Sequence, residues 1–389
     1  MHKNYRKISK ALHFSLLLHF QKLSMFKKRK TEERAVSISA LTWKRFKREK
    51  AGMASLGFII IIILISILGY LITPDTTPYC NDQHLEISLR KPGFKVQMLN
   101  VKDNREVKKV NIFRKMLFGQ PALYTTIPIN SYTQRNDTIF AHPFEQENIT
   151  IQYTLSELAP KNPIETRTYR LGTDRYGRDV LSQLLMGSRI SLAVGFISVS
   201  IALVIGIFFG AIAGYYRGRV DNIIMWFINV IWSIPTLLLV IAISFALGKG
   251  FWQIFIAIGL TMWVDVARVV RGQVISLKEQ EFVEAGKALG FSGLHIIIRH
   301  ILPNVLGTVI VLAASNFSSA ILMEAGLSFL GIGVQPPTPS WGMMMKENYA
   351  YIVLDQAYLA IAPGIAIMLL VLAFMLIGSA LRNAMDIKN

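Results

Sequence analysis

Residues 284–303 read EAGKALGFSGLHIIIRHILP. This is a polar island in an apolar chain. It carries charges, three glycines and a proline where the runs on either side carry Ile, Leu and Val. Just upstream, Ser276, Leu277, Lys278 and Glu279 have the S-x-x-E spacing of a capping box, so a helix is expected to start there. Phe282, Val283, Ala285, Ala288 and Leu289 would gather on one broad side of it, with Glu281, Glu284 and Lys287 on another. Gly290 follows Leu289 where a left-handed residue would end the helix. A second short helix is expected from Ser292 to about Arg299, and Pro303 opens the next apolar run. Two short helices with a sharp bend form a peg suited to a groove in a soluble partner.

The spacing resembles the EAA loop of permease subunits of binding-protein-dependent ABC importers, which reads E-A-A, three residues, G, nine residues, I-x-L-P. Glu284, Ala285 and Gly286 fill the triplet, Gly290 falls six residues after the Glu, and Leu302 and Pro303 close the pattern. Gly286 stands in place of Ala and His300 in place of Ile. His300-Ile-Leu-Pro-Asn304 is the form of the dipeptide/oligopeptide branch. Gly286 costs a helix roughly 1 kcal/mol against Ala.

Outward from this stretch, composition bounds the class. With 389 residues, 52% hydrophobic content and mean hydropathy +0.41, the chain is an integral membrane protein. Its apolar residues come in blocks of about 20, the length that crosses a bilayer core. The formal net charge is +18; residues 1–50 hold fifteen Lys/Arg and three Glu, so +12 of it lies there. A basic run just before a span holds the N-terminus on the cytoplasmic side against anionic lipid, and nucleic-acid binding is not expected. The single cysteine, Cys80, excludes an intramolecular disulfide.

Taken in order, 1–52 is expected as a basic cytoplasmic segment, with Met25 a plausible start and 38–50 a basic amphipathic helix on the membrane surface. The first span is 53–73. A polar insertion of roughly 100 residues follows at 74–171; Lys95–Val101 and Asn148–Leu155 alternate as short strands do, so some β structure is expected in it. His84 and His142 have no metal-ligand spacing and read as surface residues.

Residues 172–192, GTDRYGRDVLSQLLMGSRISL, closely resemble a stretch of C-type dipeptide/oligopeptide permeases, with Gln183 in place of Arg. Gly172, Asp174, Gly177, Arg178 and Asp179 are its named positions. Asp174, Arg178, Asp179 and Arg189 can pair locally, and Val180, Leu181, Leu184 and Leu185 make a stripe suited to a short outer-surface helix. Further spans are expected at Ser191–Gly214, Ile223–Leu247 with a kink at Pro235, Phe251–Val270, Asn304–Met323 and Leu359–Leu381. Gly195, Gly206, Gly210, Ala211 and Gly214 permit close packing. Asp265, Arg268 and Arg271 can pair at i, i+3 and i+6. Between the last two spans, Glu324–Gly342 (EAGLSFLGIGVQPPTPSWG) is close to another run of the same family, carrying Glu324, Ser328, Pro337, Trp341 and Gly342. Its prolines and glycines call for a bent segment.

The fold expected is therefore all-α: six transmembrane helices, both termini cytoplasmic, an extracytoplasmic insertion between the first two, and a five-helix core at 172–386 with the loop at 272–303. The positive-inside bias agrees. No G-x-x-x-x-G-K-[ST] is present, so this chain does not bind ATP by a P-loop, and no catalytic, cofactor or metal site is expected. The resemblance implies a non-catalytic permease of a peptide importer in a bacterial cytoplasmic membrane. Its implied partners are a B-type permease, one or two ATPase subunits and an extracytoplasmic substrate-binding protein. A nickel-importer permease shares the motifs. A secondary transporter would need intramembrane carboxylates or broken helices near the midplane, and the charges here cluster at span ends. A membrane anchor for 75–171 would leave the loop and the two other motifs without purpose.

Overall fold

The computed structural model describes residues 38–103, 109–146, 148–248 and 250–385. The question of Met25 lies outside them. Helix α1 (Ile38–Phe46) leads into α2 (Lys50–Ile72), which starts three residues before the expected span. Phe46 of α1 is buried against Ala380 and Ala384, so the basic helix is tied to the last helix of the chain.

The insertion folds as one five-stranded antiparallel sheet of order β4-β3-β2-β1-β5. Its strands are β1 (Phe94–Lys102), β2 (Tyr124–Arg135), β3 (Thr138–Pro143), β4 (Ile151–Thr154) and β5 (Ile164–Tyr169). β1 is buried on both faces. Val96 and Met98 join Ile87 and Tyr169 on one side, while Leu99 packs with Ile129, Ile139 and Leu158 on the other. That two-sided burial lets so short a segment form a core. His84 is not a surface residue: it is buried, with Nε2 at 3.1 Å from Thr126 Oγ1 and 3.2 Å from Asp82 Oδ2. Arg167 Nη1 donates to the same Asp82 oxygen at 2.7 Å.

The helix α3 (Ile112–Phe118) lies inside the insertion, beside α2. Arg189 does not pair with an acid. Its guanidinium donates to the carbonyls of Ser66 and Ile67 on α2 and of Met116 and Leu117 on α3; the last two lie in the final turn of α3, where carbonyls lack helical partners.

The remaining helices form the bundle. They are α4 (Val180–Tyr216), α5 (Gly218–Trp232), α6 (Thr236–Leu247), α7 (Phe251–Lys278), α8 (Glu281–Ala288), α9 (Gly293–Ile296), α10 (Leu302–Phe329), α11 (Trp341–Asn348) and α12 (Tyr358–Met385). Five helices among the described residues are long and apolar enough to cross a membrane, and α5 with α6 makes a sixth if the pair is one span. No separate surface helix precedes α4. Nothing between Val180 and Ser191 breaks it, so it runs 37 residues, about 55 Å. Pro235 does more than kink its span: α5 and α6 meet at 94°. The ring removes an N–H and pushes Ile234 out of helical geometry, so the helix stops and restarts.

The bundle is centred on α4 against α7. A Cβ built on Gly206 would meet the Trp263 carbonyl oxygen at 2.8 Å; on Gly210, that of Ala267 at 2.5 Å; on Gly214, that of Arg271 at 2.8 Å. Both sets advance by four residues, so the two helices run in the same direction with backbones in contact over two turns. Val266, Val270 and Val274 fill the seam.

Two outcomes follow. Gly210→Leu drives a side chain into backbone, an overpacking that costs about 1–3 kcal/mol or more; its melting temperature in detergent drops below that of Gly57→Leu, whose Cβ meets nothing within 4 Å. In the sheet, burial alone would raise the Asp82 pKa, but His84 and Arg167 overcome it and hold the carboxyl at about 2. A depressed pKa stabilises above the unfolded value and is lost as pH falls through the folded one, worth about 2 kcal/mol here. Asp82→Asn therefore melts earlier than wild type at pH about 5, and the gap closes as pH falls from about 4 to about 2.

Candidate functional site

Two clusters hold the positions singled out in the sequence. At the end of the bundle far from the sheet, α7, α8 and α9 make an elbow. The capping-box reading fails here: Ser276 to Lys278 are the last turn of α7, and Gln280, in extended geometry, precedes α8. Residues 270–275 hold nothing that stops a helix, so α7 continues past them. The end of α8 is as expected. Gly290 has φ +79°, its N–H donates to Lys287 O at 2.9 Å, and Phe291 N–H donates to Gly286 O at 3.1 Å. This is a Schellman closure.

Of the expected apolar side of α8 only Val283 is buried, joined by Gly286. Val283 packs with Ile296, Ile297 and Ile301 into the core that holds Val270 and Val274. Phe282, Leu289, Phe291 and Leu294 stay exposed, beside the exposed Glu281, Glu284, Ala285 and Lys287. The departure at Gly286 has no steric cause: an alanine Cβ there would meet Phe291 at 3.6 Å, ordinary contact.

The second short helix is not separate. Ser292 accepts from His295 N–H at 3.3 Å to start α9, a π-turn over Ile297–Ile301 follows, and α10 continues it, giving one helical run from Gly293 to Phe329. Pro303 lies inside that run. Its missing N–H and ring crowding upstream fit a widened turn at Ile297–Ile301. Leu302 is half-buried against the core. His300 stacks on Phe291 with centroids 5.9 Å apart, and its carbonyl accepts from Asn304 Nδ2 at 2.6 Å. Across the elbow's base, Lys278 Nζ donates to Tyr215 O at 2.6 Å, and Arg271 Nε reaches Asp221 Oδ1 at 2.6 Å. The latter pair replaces the expected pairing within α7.

At the sheet end, the two other motifs meet. Gly172 and Gly177 have φ +74° and +70°, and a Cβ on Gly177 would overlap His84 O, so both must be glycine. Asp174 Oδ1 accepts from the N–H groups of Tyr176 and Arg178, and its Oδ2 holds Arg178 Nη2 at 2.6 Å. The same guanidinium binds Glu347 Oε2 at 2.7 Å, tying the turn to α11. Burial alone would lower the Arg178 pKa; Asp174 and Glu347 outweigh it and raise it. Asp179 does not pair with a base but caps α4, accepting from Ser182 N–H at 2.9 Å.

From the other motif, Trp341 Nε1 donates to Leu184 O at 2.8 Å, and its ring lies where a Cβ on Gly187 would be. Gly342 sits as tightly against Ala325 O. Glu324 is fully buried within α10 and accepts from Ser328 Oγ at 2.6 Å; Ser328 Oγ in turn accepts from Val334 N–H at 3.1 Å. Pro337 is exposed, after a cis Pro336–Pro337 bond. The segment bends as expected, but α10 first continues through Phe329. Glu347 and Asp221 were not legible as partners: each lies far along the chain from the arginine it holds.

The family model described as binding-protein-dependent transport system inner membrane component matches residues 206–387, and one described as the N-terminal TM domain of oligopeptide transport permease C matches 37–92. A glutathione transport system permease protein GsiD of Pectobacterium atrosepticum is 41% identical over 218 residues, 56% of this chain and 72% of the relative. A dipeptide transport system permease protein DppC of Alkalihalophilus pseudofirmus is 41% identical over 235 residues, 60% and 77% of the two chains. An oligopeptide transport system permease protein OppC of Haemophilus influenzae is 42% identical over 218 residues, 56% and 70%. With such relatives and both family models matching, the chain belongs to the binding-protein-dependent transport system inner membrane components, the permease subunits of ABC importers.

Proposed function

We propose that this chain forms half of the translocation pore of a dipeptide or oligopeptide importer and couples it to ATP-hydrolysing subunits through the α8–α9 elbow. The observation that carries the coupling role is the elbow itself. Four large apolar side chains, Phe282, Leu289, Phe291 and Leu294, stand exposed around a bend held by Gly290, next to Glu281, Glu284 and Lys287. An apolar knob rimmed by charge fits a groove on a soluble protein. Peptide as the cargo rests on the names of the relatives: dipeptide, oligopeptide and glutathione permeases, the last a small peptide. None of these three relatives is named a nickel permease, so the metal reading has no support from them.

Six spans, with both termini cytoplasmic, are part of the proposal. The same-direction run of α4 and α7 supports that count: the chain between Tyr216 and Phe251 must return from one end of the bundle to the other, and α5 with α6 is what it has for the return. The elbow is then cytoplasmic and the sheet extracytoplasmic. The division is a basic segment at 1–52, a first span at 53–73, an insertion at 74–171 and a permease core at 172–386. The partners are a B-type permease, one or two ATPase subunits and a substrate-binding protein outside, in a bacterial cytoplasmic membrane. ATP hydrolysis belongs to those partners, and this chain transmits its force. The junction of Arg178, Asp174 and Glu347 would meet or support the binding protein's docking face.

Gly290→Pro tests the coupling, because proline cannot take φ +79° and has no N–H for Lys287 O. The complex stays in the membrane, while uptake of labelled di- and tripeptides falls about tenfold or more. ATPase subunits that remain bound, and stimulated by loaded binding protein, would overturn the role. Loss of nickel uptake alone in cells lacking this chain would overturn the cargo.

A further inference from the structure

The break between α5 and α6 opens a cavity of about 210 Å³ against α7 and α10. Its lining is polar for a site among spans: Thr236, Thr261, Asp265, Asn316 and Ser319 line it, with Trp232 at the break. Asp265 is fourteen residues into α7, about 21 Å along the helix from Phe251, so it stands within the depth of a bilayer core and not at a span end. It is exposed, and among the described residues it makes no ion pair or hydrogen bond. The cations nearest in sequence are held elsewhere. Arg268 Nη2 donates to Asn229 Oδ1 at 2.8 Å and its guanidinium lies 3.8 Å from the centre of the Trp232 ring; Arg271 is held by Asp221.

The second observation is independent. Asn316, on α10, is 7% exposed, and its Nδ2 is buried without an acceptor. A buried amide donor left unmade costs free energy unless something else supplies the acceptor. An unpaired acid and a buried amide whose donor lacks an acceptor therefore sit in the lining of one small cavity at a helix break, the setting in which intramembrane ionisable residues serve a pathway.

Resting on the peptide-importer reading, we propose that this cavity binds the N-terminal end of a peptide in transit. Asp265 takes the terminal ammonium, and a turn of the Asn316 side chain brings its unpartnered Nδ2 to the first peptide carbonyl. The volume admits an end group and not a whole oligopeptide, so the site reads a feature that every unmodified peptide shares whatever its length or side chains.

The test uses the assembled importer. Cys80 is the chain's one cysteine and is fully buried, so Ser319→Cys introduces an exposed thiol whose maleimide labelling is read by the mass of this subunit. A dipeptide at ten times its dissociation constant slows labelling about tenfold by mass action. The same dipeptide with an N-acetyl cap does not, and Asp265→Asn in the Ser319→Cys background abolishes protection while Asp265→Glu restores part of it. Equal protection by capped and free peptide would overturn the proposal, as would protection that survives Asp265→Asn, or protection by sodium or potassium ions alone. A thiol unreactive in the assembled importer would place the partner permease over the cavity and overturn it too. If the importer moves no peptide at all, the cargo reading falls first; if it moves peptide without protecting the thiol, only this site falls.

Discussion

The structure depends on backbone contact between α4 and α7. Three glycines four residues apart bring one helix against the carbonyl oxygens of the other, at distances that leave no room for a Cβ. In lipid, the hydrophobic effect does not drive helices together, so close packing of this kind supplies the attraction. The contact fixes direction as well as proximity. With α4 and α7 running the same way, the short helices between them have to cover the whole return, and they do so broken at Pro235. Beside the break lies a partly polar cavity against α7 and α10.

The elbow is an extension of the same seam. α7 carries on past the apolar run to Lys278, and Lys278 and Arg271 fasten its end to Tyr215 and Asp221 near the end of α4 and the start of α5. Val283 and Ile296 then dock the elbow on that end. The π-turn and α10 follow without interruption, so under the proposed coupling a push on the elbow would act on a helix that runs to Glu324 and Ser328. At the sheet end, Arg178 and Trp341 join α4, the turn before it and α11. The two clusters are the ends of one connected set of helices.

Much of this was legible in the sequence for local reasons. The apolar blocks marked the spans, and Gly290 after an apolar residue marked a helix end, because a left-handed C′ position is a local requirement. Lys95–Val101 marked β1 by its alternation. What was not legible came from partners distant in sequence. Asp265, Arg268 and Arg271 have the spacing of a local ladder, yet each arginine turns to α5, 39 and 50 residues upstream, and leaves the acid unpaired. The S-x-x-E pattern at Ser276 misled because it also fits the last turn of a continuing helix. His84 read as a lone surface residue because Thr126, whose Oγ1 meets its ring, lies 42 residues along the chain on β2.

In the proposed coupling, force enters at the exposed elbow. A photo-crosslinking amino acid at Leu289, 73% exposed beside the bend, tests it in the assembled importer. The expected result is a crosslink to an ATP-hydrolysing subunit whose yield changes between the nucleotide-free and ATP-bound states. Crosslinks only to lipid, to the other permease or to the binding protein would contradict it.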